Sequence, residues 1–150
     1  MTSNNHAADE AAIRALIVKR AAAISAKDAS GVLATEAPEI VVAGLAPPLR
    51  FAGPTGETRE GMEAWFATWK GAIDYEVRGL EVTAGDTVAF CTGFVRIGGI
   101  KTDGKKTELW ARQTIGLQKL DGTWKIVHDH HSVPFYMDGS LRAAVDLKPN

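Results

Sequence analysis

Between Trp110 and Pro134 the chain reads WARQTIGLQKLDGTWKIVHDHHSVP, and three of its four histidines, His128, His130 and His131, fall within four consecutive positions around Asp129. Imidazole changes charge near neutral pH, so a histidine facing a bound molecule can take or give a proton. Gln113 or Asp129 is placed to orient such a ring, and the set suits removal of a proton next to a carbonyl. Arg112 adds a planar cation able to clamp a carboxylate, although an ion pair with Asp129 would also occupy it. His128 and His130, two apart on a strand, share a face that could hold zinc. With no HExxH helix and one cysteine, Cys91, a third ligand is lacking and no metal is assigned.

What these residues face depends on the strands that carry them. The Asp121-Gly122 pair favours a two-residue hairpin turn whose central positions both need positive φ. That turn sets Leu120 opposite Thr123, Leu117 opposite Ile126, Ile115 opposite His128, Gln113 opposite His130 and Ala111 opposite Ser132. The last four pairs share a face, apolar near the turn and polar beyond it. His128, His130 and Gln113 are therefore expected to point toward the helices, as the polar end of an apolar pocket wall. The other face, with Thr114, Asp129, Arg112 and His131, is polar throughout and is expected to meet solvent or a partner subunit. A bulge would exchange the faces beyond it and bring Asp129, His131 and Arg112 inside.

The elements that position this hairpin follow from periodicity. Ile13, Leu16, Ile17 and Ile24 recur at helical spacing from Asp9 to about Lys27, and Asp9 and Glu10 suit the positive end of the helix dipole. Asp28 or Ser30 can cap a short second helix, and Pro38 marks the break before a strand, Glu39 to Ala43. GLAPPLRFAGPTGE (44–57) is the least regular stretch, of a length suited to a pocket mouth. Thr58 to Lys70 is predicted helical, with Met62, Trp65, Phe66 and Trp69 on one side. Strands are expected from Asp74 to Thr83 and from Thr87 to Ile97, then a glycine-rich loop, GGIKTDGK, then the hairpin. SLRAAVDLK suggests a short helix after Gly139.

At 150 residues the chain has the usual size of one domain, with residues 1–8 expected to be a flexible N-terminus. Hydrophobic residues make up 45% and charged residues 23%, as in globular proteins, and the formal net charge of -1 gives no reason to expect nucleic-acid binding. One cysteine cannot form an internal disulfide, and no signal-like or membrane-spanning apolar run is visible, so a cytoplasmic location is expected. GPTGE is not followed by the lysine of a phosphate loop, and no cofactor is expected.

The order of elements, together with Arg112-Gln113-Thr114 and the run from Asp121 to Ser132, DGTWKIVHDHHS, resembles the nuclear transport factor 2-like superfamily. Within it, the SnoaL-like, ketosteroid-isomerase-related branch is most similar, and the same pattern resembles the association domain of calcium/calmodulin-dependent protein kinase II. The resemblance implies an α+β fold: a conical half-barrel of curved, mostly antiparallel sheet with about three helices on its concave face. It also implies a deep pocket and a homodimer through the outer sheet face. Steroid isomerases of this superfamily use a tyrosine on the first helix and a carboxylate near the first strand; here that helix has no tyrosine and the strand offers only Glu39. Polyketide cyclases of the SnoaL-like group use an acid and a histidine around the last strand, which implies Asp129 with His128 or His130.

Taken together, these features predict a small dimeric pocket protein performing isomerase, cyclase or hydratase-type chemistry on a small, largely apolar carbonyl compound. His128, His130 and Asp129 would carry protons and Gln113 would hold an oxygen. Trp65, Trp69, Tyr75 and Phe94 would supply apolar wall, with Trp110, Arg112 and His131 as further ligand contacts. The alternative is a non-catalytic ligand-binding or oligomerisation module using the same cavity.

Overall fold

The computed structural model describes residues 6–52 and 58–150. Helix α1 (Ala7–Ser25) buries Ile13, Ile17, Arg20 and Ile24 on one face. Its acidic first turn does more than favour the helix dipole. Asp9 accepts a hydrogen bond from the Trp124 indole at 2.9 Å and an ion pair from Lys119 at 2.8 Å, which ties the helix start to the final hairpin. Of the residues expected to be a flexible N-terminus, 1–5 lie outside the described residues, while Ala7 and Ala8 belong to the first turn of α1. Asp28 caps α2 (Ala29–Leu33) by accepting from the Gly31 amide, and Thr58 caps α3 (Arg59–Phe66) in the same way through Gly61.

The remaining elements are strands β1 (Glu36–Ala43), β2 (Trp69–Ala84), β3 (Val88–Lys101), β4 (Lys106–Leu120) and β5 (Thr123–Ser132). They form one sheet in the order β1-β5-β4-β3-β2. The pairs from β2 to β5 are antiparallel and β1 runs parallel to β5. The fold is thus the expected α+β arrangement of a curled, mostly antiparallel sheet with three helices.

Several boundaries differ from expectation. β1 starts at Glu36, so Pro38 lies inside a strand and does not mark its beginning. An edge strand tolerates proline because one side of its ladder is unpaired, and the register is irregular between Glu36 and Val41. α3 ends at Phe66, and Trp69 and Lys70 open β2. β3 continues through the glycines to Lys101. The tail carries no helix after Gly139 among the described residues; Phe135 instead bridges Ala143.

The core has two apolar clusters beneath the sheet. One joins Ile13 and Ile17 of α1 to Ile115, Leu117 and Ile126; the other joins Ile24 to Val32, Met62, Phe66 and Ile73. Each fully buried aliphatic side chain of this kind contributes about 1.5–3 kcal/mol. Along α1, Arg20 falls between the two clusters.

The hairpin turn forms as expected, with φ of 51° at Asp121 and 79° at Gly122. Leu120 pairs with Thr123, Gln118 with Lys125 and Leu117 with Ile126. Val127 is then an extra residue, and the ladder resumes with Gly116 opposite His128, Ile115 opposite Asp129, Gln113 opposite His131 and Arg112 opposite Ser132. This bulge exchanges the two faces of β5 beyond Ile126. It leaves β4 untouched, so Gln113 stays inside and Arg112 stays outside. His128 and His130, expected to face the helices, face away from them.

Candidate functional site

A cavity of about 560 Å³ lies between the sheet and the helices. Its wall is largely apolar, formed by Ile24, Val32, Met62, Trp65, Phe66, Trp69 and Ile97, with Tyr75 among them. Gly44, Leu45, Ala46, Pro47 and Phe51 of the irregular segment also line it, and Phe51 is held there by two backbone hydrogen bonds with Val42. Residues 53–57 of that segment lie outside the described residues.

At one end of the cavity Arg20, Asp129 and His131 converge. Arg20 sits on the same helical face as Ile13, Ile17 and Ile24, so folding removes its guanidinium from water. A buried charge must be paired, and two carboxylates meet it. Its Nη2 donates to Glu36 Oε1 at 2.9 Å and lies 3.0 Å from Asp129 Oδ2. Arg20 is 4% exposed, Glu36 7% and Asp129 1%. Burial pushes the Asp129 carboxyl upward most strongly. The adjacent His131 and Arg20 and the hydrogen bonds from Gln113 and Arg20 outweigh that and hold it below the ordinary carboxylate range.

Gln113 fixes the next link. Its Nε2 donates to Asp129 Oδ1 at 3.1 Å and lies 3.0 Å from His131 Nε2. A carboxylate only accepts, so the amide must turn its NH₂ this way, and its second hydrogen is directed at His131. His131 Nε2 is therefore the ring nitrogen with the lone pair. The proton belongs on Nδ1, which lies 3.7 Å from Asp129 Oδ1. The Tyr75 hydroxyl lies 3.5 Å from the same Nε2. The result is an imidazole held between a buried acid and an amide, beside a phenol at an apolar wall. A proton accepted at Nε2 would displace the Gln113 N–H and produce an imidazolium beside a buried carboxylate, a favourable pairing in a weakly screened site.

The residues expected at the site divide between two faces. Asp129, His131, Trp65, Trp69 and Tyr75 line the cavity, and Gln113 reaches it through Asp129 and His131. His130 is exposed and His128 half-buried on the outer face, their rings 6.2 Å apart. Phe94, Trp110 and Arg112 also lie outside, where β3 and β4 meet the tail at Ala144 and Leu147. Trp110 is covered there by the Arg78 guanidinium, 4.5 Å from its ring centroid. Arg112 does not pair with Asp129; its Nε donates to Ser132 Oγ at 3.1 Å.

Two site residues were absent from the sequence-based expectation. Arg20 had a readable signal, a charge on the apolar stripe of α1. Glu36 was missed because β1 was started three residues late, at Glu39, and it supplies the inward acid that the strand was expected to lack. Cys91 is buried and its thiol is pushed up to about 11 by desolvation, which keeps it in the inert protonated form. Among the described residues, no three His, Cys, Asp or Glu side chains group so as to hold a metal ion, and no helix is long and apolar enough to cross a membrane.

Two outcomes are expected from this geometry. Arg20→Met leaves two buried carboxylates without their cation, and urea unfolding is expected to show a loss of about 3–5 kcal/mol; a change below 1 kcal/mol would contradict the buried pairing. Because the folded-state pKa of Asp129 lies below its unfolded value, its contribution to stability is present above about pH 4 and lost as pH falls through the folded value. Unfolding free energy measured across acid pH is expected to fall more steeply for the wild type than for Asp129→Asn. Parallel curves would contradict the assignment.

Comparison with known proteins agrees with this fold. Residues 13–136 match the model of the SnoaL-like domain. An NTF2-like protein of unknown function from Pseudomonas putida KT2440 is 30% identical with a TM-score of 0.84, covering 95% of this chain and 97% of that one. A putative calcium/calmodulin dependent protein kinase II association domain from Xanthomonas campestris is 26% identical with a TM-score of 0.64, covering 80% and 84%. A putative aromatic ring hydroxylase from Novosphingobium aromaticivorans, 21% identical with a TM-score of 0.73 over 83% and 88%, shares the fold. No curated protein matches the chain. With the family model spanning most of its length and the curled sheet closed over a cavity, the chain belongs to the SnoaL-like family of the NTF2-like superfamily.

Proposed function

We propose that this chain is a single-domain, cytoplasmic enzyme that moves protons on a small, largely apolar carbonyl compound, as an isomerase, cyclase or hydratase and without a redox cofactor. The observation that carries this reading is the His131 ring, held by Gln113 and Asp129, at the polar end of an apolar cavity. The substrate displaces the Gln113 N–H from His131 Nε2, which then takes a proton from the carbon next to the carbonyl. The Tyr75 hydroxyl donates a hydrogen bond to the carbonyl oxygen as negative charge develops on it. Arg20 acts at one remove: it holds Asp129 ionised, and Asp129 faces the imidazolium.

His128 and His130 have a different role in this reading. They share the outer face with Val88, Phe90 and Phe94, which are 58%, 51% and 41% exposed. Contiguous exposed apolar residues on a sheet face mark an interaction surface, and we assign this face to a homodimer. Similarity to a solved association domain supports self-association, and it also keeps a non-catalytic binding or oligomerisation module as the second reading.

Exchange of α-hydrogens for deuterium in an apolar, ring-fused ketone such as 2-tetralone, followed by NMR in D₂O, tests the proton chemistry directly. The wild type is expected to accelerate exchange, and His131→Ala is expected to slow it on the order of 100-fold. His128→Ala and His130→Ala are expected to stay within about twofold of the wild type, since neither ring faces the cavity. Exchange at the buffer rate for the wild type, or a loss that follows His128 or His130 and not His131, would contradict the reading.

A further inference from the structure

The same cavity carries a second polar group that the proton chemistry does not use. Trp69 and Lys101 pair across β2 and β3, and both line the cavity. The Lys101 ammonium lies 3.6 Å from the Trp69 ring centroid and donates to Thr68 Oγ1 at 3.0 Å. Trp69 is 4% exposed, and its indole Nε1 is buried with no hydrogen-bond partner among the described residues. That nitrogen presents no accessible surface to the cavity, so Trp69 meets a ligand through the rest of its ring.

The indole is held in one position. Gly99, at φ +144°, lets the ring pass so close that a Cβ there would meet Cε3 at 3.1 Å and Cζ3 at 3.3 Å. Trp65 packs against it edge-on at 6.2 Å, and the Trp69 carbonyl accepts from the Lys27 ammonium. Meanwhile partial burial pulls the Lys101 ammonium below the ordinary lysine range, with Asp103 acting in the opposite sense. The cation has thus given up part of its hydration at the wall of an apolar space.

Charge divides the cavity into two unlike ends. At the His131 end, Arg20 is matched by two carboxylates, Glu36 and Asp129, so an anionic group is repelled there. Lys101 is the other cation lining the cavity among the described residues. Along β3, Lys101 lies four residues beyond Ile97, the partner of Tyr75, which is about 13 Å of strand. Trp65 and Phe66 add aromatic wall to the same cavity.

We infer that the ligand of this cavity is an apolar oxo acid with an aromatic or similarly broad body, its carboxylate held by Lys101 beside the Trp69 ring. Its carbonyl then reaches His131 and Tyr75. This inference rests on the proposed proton chemistry at His131 for the second half only; the carboxylate site is tested separately.

Isothermal titration with 4-phenylbutanoate and 2-naphthylacetate, against the matching primary amides, tests it. The acids are expected to bind the wild type about tenfold more tightly than the amides, a difference of about 1.4 kcal/mol. Lys101→Met is expected to erase that preference and Lys101→Arg to retain most of it. Trp69→Phe is expected to weaken acids and amides by similar factors, since the ring packs against the apolar body that both share. His131→Ala is expected to leave the acid preference intact. Equal binding of acids and amides, or a preference that survives Lys101→Met, overturns the carboxylate site while leaving the ketone-exchange reading untouched. An intact acid preference with no wild-type ketone exchange leaves the carboxylate site standing and removes the proton chemistry. Absence of binding in both series overturns the carboxylate site, and the ketone exchange alone then decides the proton chemistry.

Discussion

A guanidinium removed from water by its own helix is the constraint that the site depends on. Ile13, Ile17 and Ile24 fix which face of α1 turns inward, and Arg20 shares that face whether or not a partner awaits it. An isolated buried charge would cost more than a domain of this size can offset, so the sheet must bring anions to it. Glu36 arrives from the edge strand and Asp129 from its parallel neighbour. The second carboxylate leaves the cluster with excess negative charge, and His131 and Gln113 are arranged around that excess. In this sense the chemistry at the cavity wall descends from a stability requirement on the first helix.

The bulge at Val127 is what lets β5 meet that requirement. Without it, Asp129 would point outward and His128 and His130 would face the helices, with no acid opposite Arg20 except Glu36. One extra residue in one strand reverses the alternation of β5 while β4 keeps its own, which is why Gln113 and Asp129 come together although a regular hairpin would separate them. The cavity inherits a polar end from this event and an apolar wall from Trp65, Phe66 and Met62, whose helix packs over the open part of the sheet. Belonging to the SnoaL-like family is consistent with such a pocket, and a shared fold does not by itself fix the chemistry done in it.

Much of this was legible beforehand. The Asp121-Gly122 turn, the Asp28 cap, the antiparallel run of strands and the curled α+β architecture all follow from local rules that tertiary contacts did not override. The facing of β5 was not, because a bulge has no strong local signature: Lys125, Ile126, Val127 and His128 alternate acceptably in either register. What decides the matter is Arg20, 109 positions before Asp129 in the sequence, and only the folded arrangement brings the two within 3.0 Å. Phe94 and Trp110 were misplaced for a related reason. Aromatic residues suit a cavity wall and a covered outer face equally well, and Trp110 is buried by Arg78 and the tail.

The facing of β5 is open to a direct test by NMR of the histidine rings during titration with 2-tetralone. Movement of the His131 imidazole signals, with those of His128 and His130 stationary, is the expected result. Movement of His128 and His130 with His131 stationary would contradict the inward placement of Asp129 and His131, and with it the site built on them.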